Sequence, residues 1–266
     1  MAAQRFKIDR LGAIRQYLYA HGRSTTQELI VATGASLATL RRDLSRLEKE
    51  GVIERLHGAA QLASGSSVEV AFEQREKENL KAKRAIANAA YEYLRPHTTI
   101  FLDAATTVLQ LAQRLRIAPL PITVFTNGLA AARELINVPK IKVMLLGGQL
   151  RSENASIVGT YAEGMLDKLW FDQLFLGASA ISADGAICSI DLSEATLNAK
   201  MMARSAERFL LADASKFGHM ATYAVAPVST ATEVIVDAAI SPEWRQKLTN
   251  LGTRLTVVRN AREPSR

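Results

Sequence analysis

The chain is poor in the residues that build covalent or metal-held scaffolds. Its 266 residues include one cysteine, Cys188, and four histidines spread far apart. A single thiol excludes a disulfide framework and a cysteine-based zinc site, and scattered imidazoles offer no ligand cluster. Long apolar runs are missing too: no uninterrupted stretch reaches the roughly 18 residues that a bilayer span needs. The first twenty residues carry Arg5, Lys7, Asp9, Arg10 and Arg15 where a signal peptide would have an apolar segment. The expectation is a cytoplasmic protein with no membrane association, no metal and no cofactor. What is present suits a packed core. Hydrophobic residues make up 48% and charged residues 22%, which excludes wholesale disorder. The length fits a small domain joined to a medium one. Acidic residues are in deficit, 26 against 33 basic, and a net charge of +7 favours a polyanionic partner.

The positive excess is concentrated. Through Ser64 there are ten basic residues and six acidic ones, so about a quarter of the chain holds more than half of the excess. Ala63-Ser64-Gly65-Ser66-Ser67 then reads as a linker. The division expected is a domain over 5–62, a linker over 63–74, a second domain over 75–258 and a frayed tail over 259–266.

The first segment is helical with sharp punctuation. Leu11, Ile14 and Leu18 recur at helical spacing and Gly22 stops that helix. Ser24 with Gln27, and Thr25 with Glu28, form two overlapping capping boxes for a short helix ending near Thr33. Gly34-Ala35 makes a tight turn. Ser36 caps a third helix that runs to about Glu50, with Gly51 as its stop. Residues 52–60 read as a small hairpin. At about 100° per residue, Leu37, Leu40, Leu44 and Leu47 share one stripe of the third helix. Ala38, Arg42, Ser45, Arg46 and Lys49 lie opposite, with Arg41 on the flank. A helix entering the major groove needs an apolar back and outward arginines aimed at guanine edges and phosphates. A solvated amphipathic surface helix shows the same face, but not the preceding turn, caps and following hairpin. Asp43 and Glu48, on or near the flanks, are expected to orient Arg41 or a basic neighbour and not to meet DNA. Arg55 and His57 on the hairpin are candidate phosphate or minor-groove contacts.

The second segment alternates apolar runs with helical stretches. Helices are expected over 78–94, 106–115, 129–136, 157–169, 192–206 and 242–248, and strands over 99–103, 122–126, 141–146, 173–177, 208–212, 233–237 and 254–258. Continuous apolar strands between helices imply a mostly parallel sheet covered on both faces. Polar motifs follow several strands, where such sheets bind ligands: Asp103-Ala104-Ala105-Thr106-Thr107, Thr126-Asn127, Gly147-Gly148 with Arg151, and Asp213 with Lys216. Amides at a helix start, two glycines and an arginine suit an anion. The same carboxylates and lysines, with Glu194 and Lys200, also have the residue types of an aldose–ketose isomerase. Cys188 falls in a loop-like stretch and reads as packing.

Leu40-Arg41-Arg42-Asp43-Leu44, with Arg55-Leu56-His57-Gly58-Ala59, resembles the amino-terminal signature of DeoR-type bacterial transcription regulators. The resemblance continues into the second segment and covers nearly the whole chain. It implies an α/β protein with a winged helix-turn-helix and a mostly parallel sensor domain resembling ribose-5-phosphate isomerase. It also implies double-stranded operator DNA, a phosphorylated sugar effector and a homo-oligomer. The DNA-binding set it marks is Ser36, Ala38, Thr39, Arg41, Arg42, Arg46, Arg55 and His57. The effector set is Asp103, Ala105, Thr106, Thr107, Thr126, Asn127, Gly147, Gly148, Arg151, Lys200, Asp213 and Lys216. Ala105 departs from the family's usual glycine, so a methyl stands where a phosphate loop is expected. The function implied is repression of a carbohydrate operon. The alternatives are an isomerase-like enzyme with an accessory DNA-binding domain, and constitutive DNA binding if Ala105 closes the pocket.

Overall fold

A computed structural model describes residues 2–49, 52–56, 58–62 and 72–259. The chain forms two compact units, Met1–Val70 and Ala71–Arg266. His57, the linker residues 63–71 and the tail residues 260–266 lie outside the described residues.

The first unit runs α1 (Ala2–His21), β1 (Ser24–Thr25), α2 (Thr26–Thr33), α3 (Leu37–Lys49), β2 (Ile53–Leu56) and β3 (Ala59–Leu62). Leu11, Ile14 and Leu18 of α1 close over Leu29, Leu40, Leu44, Leu47 and Ile53. Of the two capping boxes the sequence offers, Thr25 with Glu28 forms: the Glu28 amide donates to Thr25 Oγ1 and the Thr25 amide to the Glu28 carboxylate. Ser24 instead donates to the Gly22 carbonyl. Gly34 ends α2 at φ 63°, a left-handed turn that glycine enters without cost. The Ser36 hydroxyl then accepts the Thr39 amide and starts α3.

One expectation about α3 is corrected. Leu37 is 45% exposed, outside the apolar stripe. Asp43 joins Leu40, Leu44 and Leu47 on the buried face, because Arg10 of α1 reaches across and donates to its carboxylate at 2.6 Å. A buried carboxylate needs such a partner. The hairpin of β2 and β3 is antiparallel, and β1 pairs with β3 to complete a three-stranded wing.

The second unit opens with α4 (Phe72–Lys77) and α5 (Leu80–Tyr91). The sequence suggested one helix over 78–94. Asn79, at φ 50°, separates the two, and residues 72–74, expected in the linker, are helical. Then follow β4 (Thr99–Leu102), α6 (Thr106–Ile117), β5 (Ile122–Thr126), α7 (Leu129–Leu135), β6 (Ile141–Leu145), β7 (Gln149–Arg151), β8 (Ser156–Val158), α8 (Thr160–Leu166) and β9 (Phe171–Leu176). The chain continues through β10 (Ala180–Ile181), β11 (Ala186–Ser189), α9 (Leu192–Ala203), β12 (Ser205–Leu211), β13 (Tyr223–Pro227), β14 (Glu233–Asp237), α10 (Pro242–Asn250) and β15 (Arg254–Val258).

Seven strands make a parallel sheet in the order β15-β14-β12-β9-β4-β5-β6. Strand alternation divides the core between its faces. Ile100, Leu102, Phe175 and Phe209 pack under α5, α6 and α7, while Phe101, Leu174, Leu176 and Leu210 pack under α8, α9 and α10. The helix expected over 157–169 is shorter. Its first residues belong to β8, which pairs antiparallel with β7, and α8 starts at Thr160. Cys188 is buried in β11, within the antiparallel sheet β10-β11-β13, and not in a loop.

Candidate functional site

The outward face of α3 carries Ala38, Arg41, Arg42 and Arg46, all exposed, while the half-buried Thr39 and exposed Ser36 sit at its start. The leucines and Asp43 hold the opposite face down, so the basic residues project from a helix that cannot roll. Arg55 of β2 leans onto this helix, donating to the Ser45 hydroxyl at 3.1 Å with the Glu48 carboxylate 3.8 Å away. The wing is thereby tied to α3. Glu48 engages Arg55 and Asp43 engages Arg10; neither orients Arg41 as its main partner.

In the parallel sheet the chain builds outward from β4 in one direction, through β5 to β6, and from β9 in the other, through β12, β14 and β15. The crevice beyond the carboxyl ends of β4 and β9 is therefore the switch point at which such sheets take ligands. The loop after β4 sits there. Asp103 is buried and accepts the Ala104 amide at 2.5 Å and the Gly177 amide, at the end of β9, at 2.9 Å. Burial pushes its carboxyl up to about 7, against the lowering effect of the Gly177 amide and with Glu194 adding repulsion. Gly128 and Gly177 flank the loop closely. A Cβ on Gly128 would lie 2.9 Å from the Ala104 Cα, and one on Gly177 would lie 2.2 Å from the Ala105 Cβ. Ala105 itself has φ −67° and ψ 147°, an ordinary extended conformation, so its methyl forces no distortion and is directed at Gly177. It precedes α6 without a side-chain cap, and Thr106 and Thr107 are buried at that helix start.

The other strand ends converge on this crevice. Thr126 Oγ1 accepts the Gly128 amide, and Asn127 is bound to the backbone of Ile157 through both its main chain and its side-chain amide. Gly148 passes close to β8, since a Cβ there would lie 2.6 Å from the Val158 carbonyl oxygen. Gly147 is exposed and its amide meets the Met165 sulfur. Arg151 donates to the buried Glu194 at 3.2 Å and pairs with Asp191 at 3.3 Å. Glu194 also accepts Asn154 and Ser156, each at 2.7 Å. Asp213 is buried, capping Ser215 and accepting the Asn79 amide group at 3.1 Å. Two buried acceptor atoms, Asp213 Oδ2 and Asn127 Oδ1, have no hydrogen-bond partner among the described residues.

Sequence reasoning named Lys216 and Arg151 as cations of this site and missed a third, Lys83. Lys83 of α5 is buried and donates to the Arg75 carbonyl. Desolvation lowers its ammonium to about 8, partly offset by attraction to Asp213 and assisted by repulsion from Lys216. Lys83 lies on the helix expected over 78–94, to which no role was given, and only the tertiary fold brings it near Asp213. Lys200 is corrected in the other direction. Its ammonium is 2.9 Å from both oxygens of Asp167, beyond α8, so it is engaged away from the strand-end cluster.

Residues 10–65 match the DeoR-like helix-turn-helix domain, and residues 78–238 match the DeoR C terminal sensor domain. The chain is 30% identical over 252 residues to a putative aga operon transcriptional repressor of Escherichia coli O157:H7, covering 94% of this chain and 93% of that one. It is 36% identical over 216 residues to the HTH-type transcriptional repressor CsqR of Escherichia coli K12, covering 81% and 82%. Among solved structures, ribose 5-phosphate isomerase A from Methanocaldococcus jannaschii is similar at 16% identity with a TM-score of 0.39, over 53% of this chain and 55% of that one. So distant a likeness carries no argument about chemistry.

Two outcomes follow from the loop geometry. Gly177→Ala should destabilise the second unit by about 1–3 kcal/mol, the usual cost of forcing a methyl into a filled space. Adding Ala105→Gly should recover most of that loss in urea unfolding, because the nearest remaining neighbour, Asp103 Oδ2, would be at 3.4 Å. Additive losses would contradict the contact. For Asp103, the folded chain keeps the carboxyl proton up to about pH 7, whereas the unfolded chain releases it near 3.8. The protonated form is the one that folding favours, so stability from this group declines as pH rises across that window. Wild type should lose stability relative to Asp103→Asn between those limits; parallel melting-temperature profiles would refute the assignment.

Proposed function

The chain belongs to the DeoR family of DNA-binding transcriptional regulators, and we propose that it is a homo-oligomeric repressor of a carbohydrate operon, released by a phosphorylated sugar. The observation that carries this reading is the basic face of α3 held outward by a buried leucine–aspartate stripe. On this reading Arg42 reads a base edge, Arg41 and Arg46 neutralise phosphates or read neighbouring bases, and Ser36, Ala38 and Thr39 approach the backbone at the helix start. Arg55 supports the helix from the wing. The isomerase alternative is set aside, because the family is one of DNA-binding regulators and the relatives are named as transcriptional repressors.

The effector reading is supported by complementary groups at the switch point. The uncapped start of α6 offers amides to an anion, and Lys83 and Lys216 supply positive charge. Asp213 Oδ2 and Asn127 Oδ1 are buried acceptors that sugar hydroxyl groups would satisfy. Arg151 and Glu194 form the wall toward β7 and β8. An effector that binds one arrangement of the sensor units better than another shifts DNA affinity by that difference. One head makes few contacts, so a repeated half-site and an oligomer assembled through the second unit complete the reading. We infer a cytoplasmic protein, since operator DNA and phosphorylated sugars are both found there; among the described residues no helix is long and apolar enough to cross a membrane.

Arg42→Ala should cost about 1–3 kcal/mol of operator affinity in a gel shift on the protein's own upstream DNA, with the second unit's melting unchanged. Unaltered binding would remove α3 from the recognition role. Lys216→Ala should bind the operator normally yet stay bound at the sugar-phosphate concentration that releases wild type. Release at that same concentration would move the phosphate away from the loop after β12. Sedimentation of the full chain as a monomer at micromolar concentration would refute the oligomer.

A further inference from the structure

The α4–α5 junction crosses the ligand site and is fastened to it at both ends. On one side Arg75 donates to the Asn154 side chain at 2.6 Å and to the Glu153 carbonyl at 3.3 Å, on the segment between β7 and β8. On the other side Asn79 donates to Asp213 at 3.1 Å and to Ser215 at 3.3 Å, after β12. One turn beyond Asn79, the buried Lys83 reaches back and donates to the Arg75 carbonyl. The junction also lies against α6, the helix that starts at Thr106.

These fastenings use the site's own residues. Asn154 is shared with Glu194, which also accepts Ser156 and Arg151, and Asp213 is shared with Ser215. An anion that draws the Lys83 ammonium competes with its bond to the Arg75 carbonyl, and a hydroxyl group that donates to Asp213 Oδ2 lands on the carboxylate that holds Asn79 through its other oxygen. Asn79 adds a second reason for sensitivity. Its φ of 50° places it in the left-handed region, which asparagine enters more readily than most residues, and this is where the chain turns from α4 into α5. Weakening its bonds to Asp213 and Ser215 frees the residue at which the two helices meet.

The junction is also the part of the second unit that follows the DNA-reading unit in the sequence. Phe72, the first residue of α4, is buried, and residues 63–71 join it to Leu62, the last residue of the wing. We infer that this strap, seated by Arg75 on Asn154 and by Asn79 on Asp213 and Ser215, is the element through which occupancy of the strand-end site alters DNA binding. The inference rests on the reading of that site as the effector pocket, and it assigns Arg75 and Asn79 a positioning role, not contact with the effector.

Coupling between two sites is reciprocal, so operator binding must alter the strap if the strap carries the signal. Hydrogen exchange of the full-length wild-type chain, with and without an operator duplex that shifts in a gel, tests this without knowledge of the natural effector. Amides over 72–83 should exchange about fivefold or more slowly with operator bound, at the lower end of ordinary coupling. The change should be lost in Arg75→Ala and in Asn154→Ala. Exchange over 72–83 that is indifferent to operator in the wild type would overturn the inference, whatever the variants do. A parallel run with millimolar inorganic phosphate separates the two ideas. Protection over 103–108 supports the pocket. No protection there overturns the pocket on which the coupling depends, even if the operator arm responds.

Discussion

The second unit depends on one close approach. The loop after β4 is wedged between the ends of β5 and β9, with Ala104 against Gly128 and Ala105 against Gly177. Neither neighbour could carry a side chain without displacing backbone or a methyl. Asp103 fixes the wedge from within by accepting amides from its own loop and from the adjacent strand end. An open parallel sheet whose connections diverge to the two sides leaves a crevice at this point. The wedge turns that crevice into a fixed floor, from which α6 starts with Thr106 and Thr107. Arg151, Glu194, Asp213 and Lys83 are arranged around this floor by elements far apart in sequence.

The first unit solves a different problem: presenting cations on a helix with little core beneath it. Its apolar cluster is small, drawn from α1, α2, α3 and the wing. Asp43 would weaken that cluster if left unpaired, and Arg10 converts it into a cross-helix tie. Arg55 makes a comparable tie from the wing through Ser45. Asp43 and Glu48 are thus engaged by Arg10 and Arg55, behind and beside the exposed basic face of α3. The basic surface is kept available by the way the acidic residues are used.

Local signals were legible in the sequence where local physics decides. The Thr25–Glu28 box, the Gly34 turn, the Ser36 cap and the leucine spacing of α3 each act within a few residues, and the strands of the parallel sheet announced themselves as apolar runs. What stayed hidden needed a partner distant in the chain. Asp43 looks like a flank residue until Arg10 arrives, and Leu37 looks like core until the stripe is seen to turn away from it. The strands β7, β8 and β10, of two or three residues, are too short to show a period, so β8 was absorbed into a helix, and β11 beside β10 left Cys188 in a loop. Lys200 had a suitable sequence position, but Asp167 on a neighbouring element takes its ammonium. Lys83, Arg75 and Asn79 carried no motif at all. Their role is visible only once α4 and α5 are laid across the strand ends.

The central claim is that one chain reads DNA with α3 and is governed by an anion at the switch point of its sheet. The most direct measurement is fluorescence anisotropy of the full chain on its own upstream DNA, titrated with a panel of sugar phosphates and with the corresponding unphosphorylated sugars. The account predicts saturable binding that one phosphorylated member reverses and that its unphosphorylated counterpart leaves intact. Binding indifferent to every sugar phosphate, or reversed equally well by a sugar without phosphate, would contradict it.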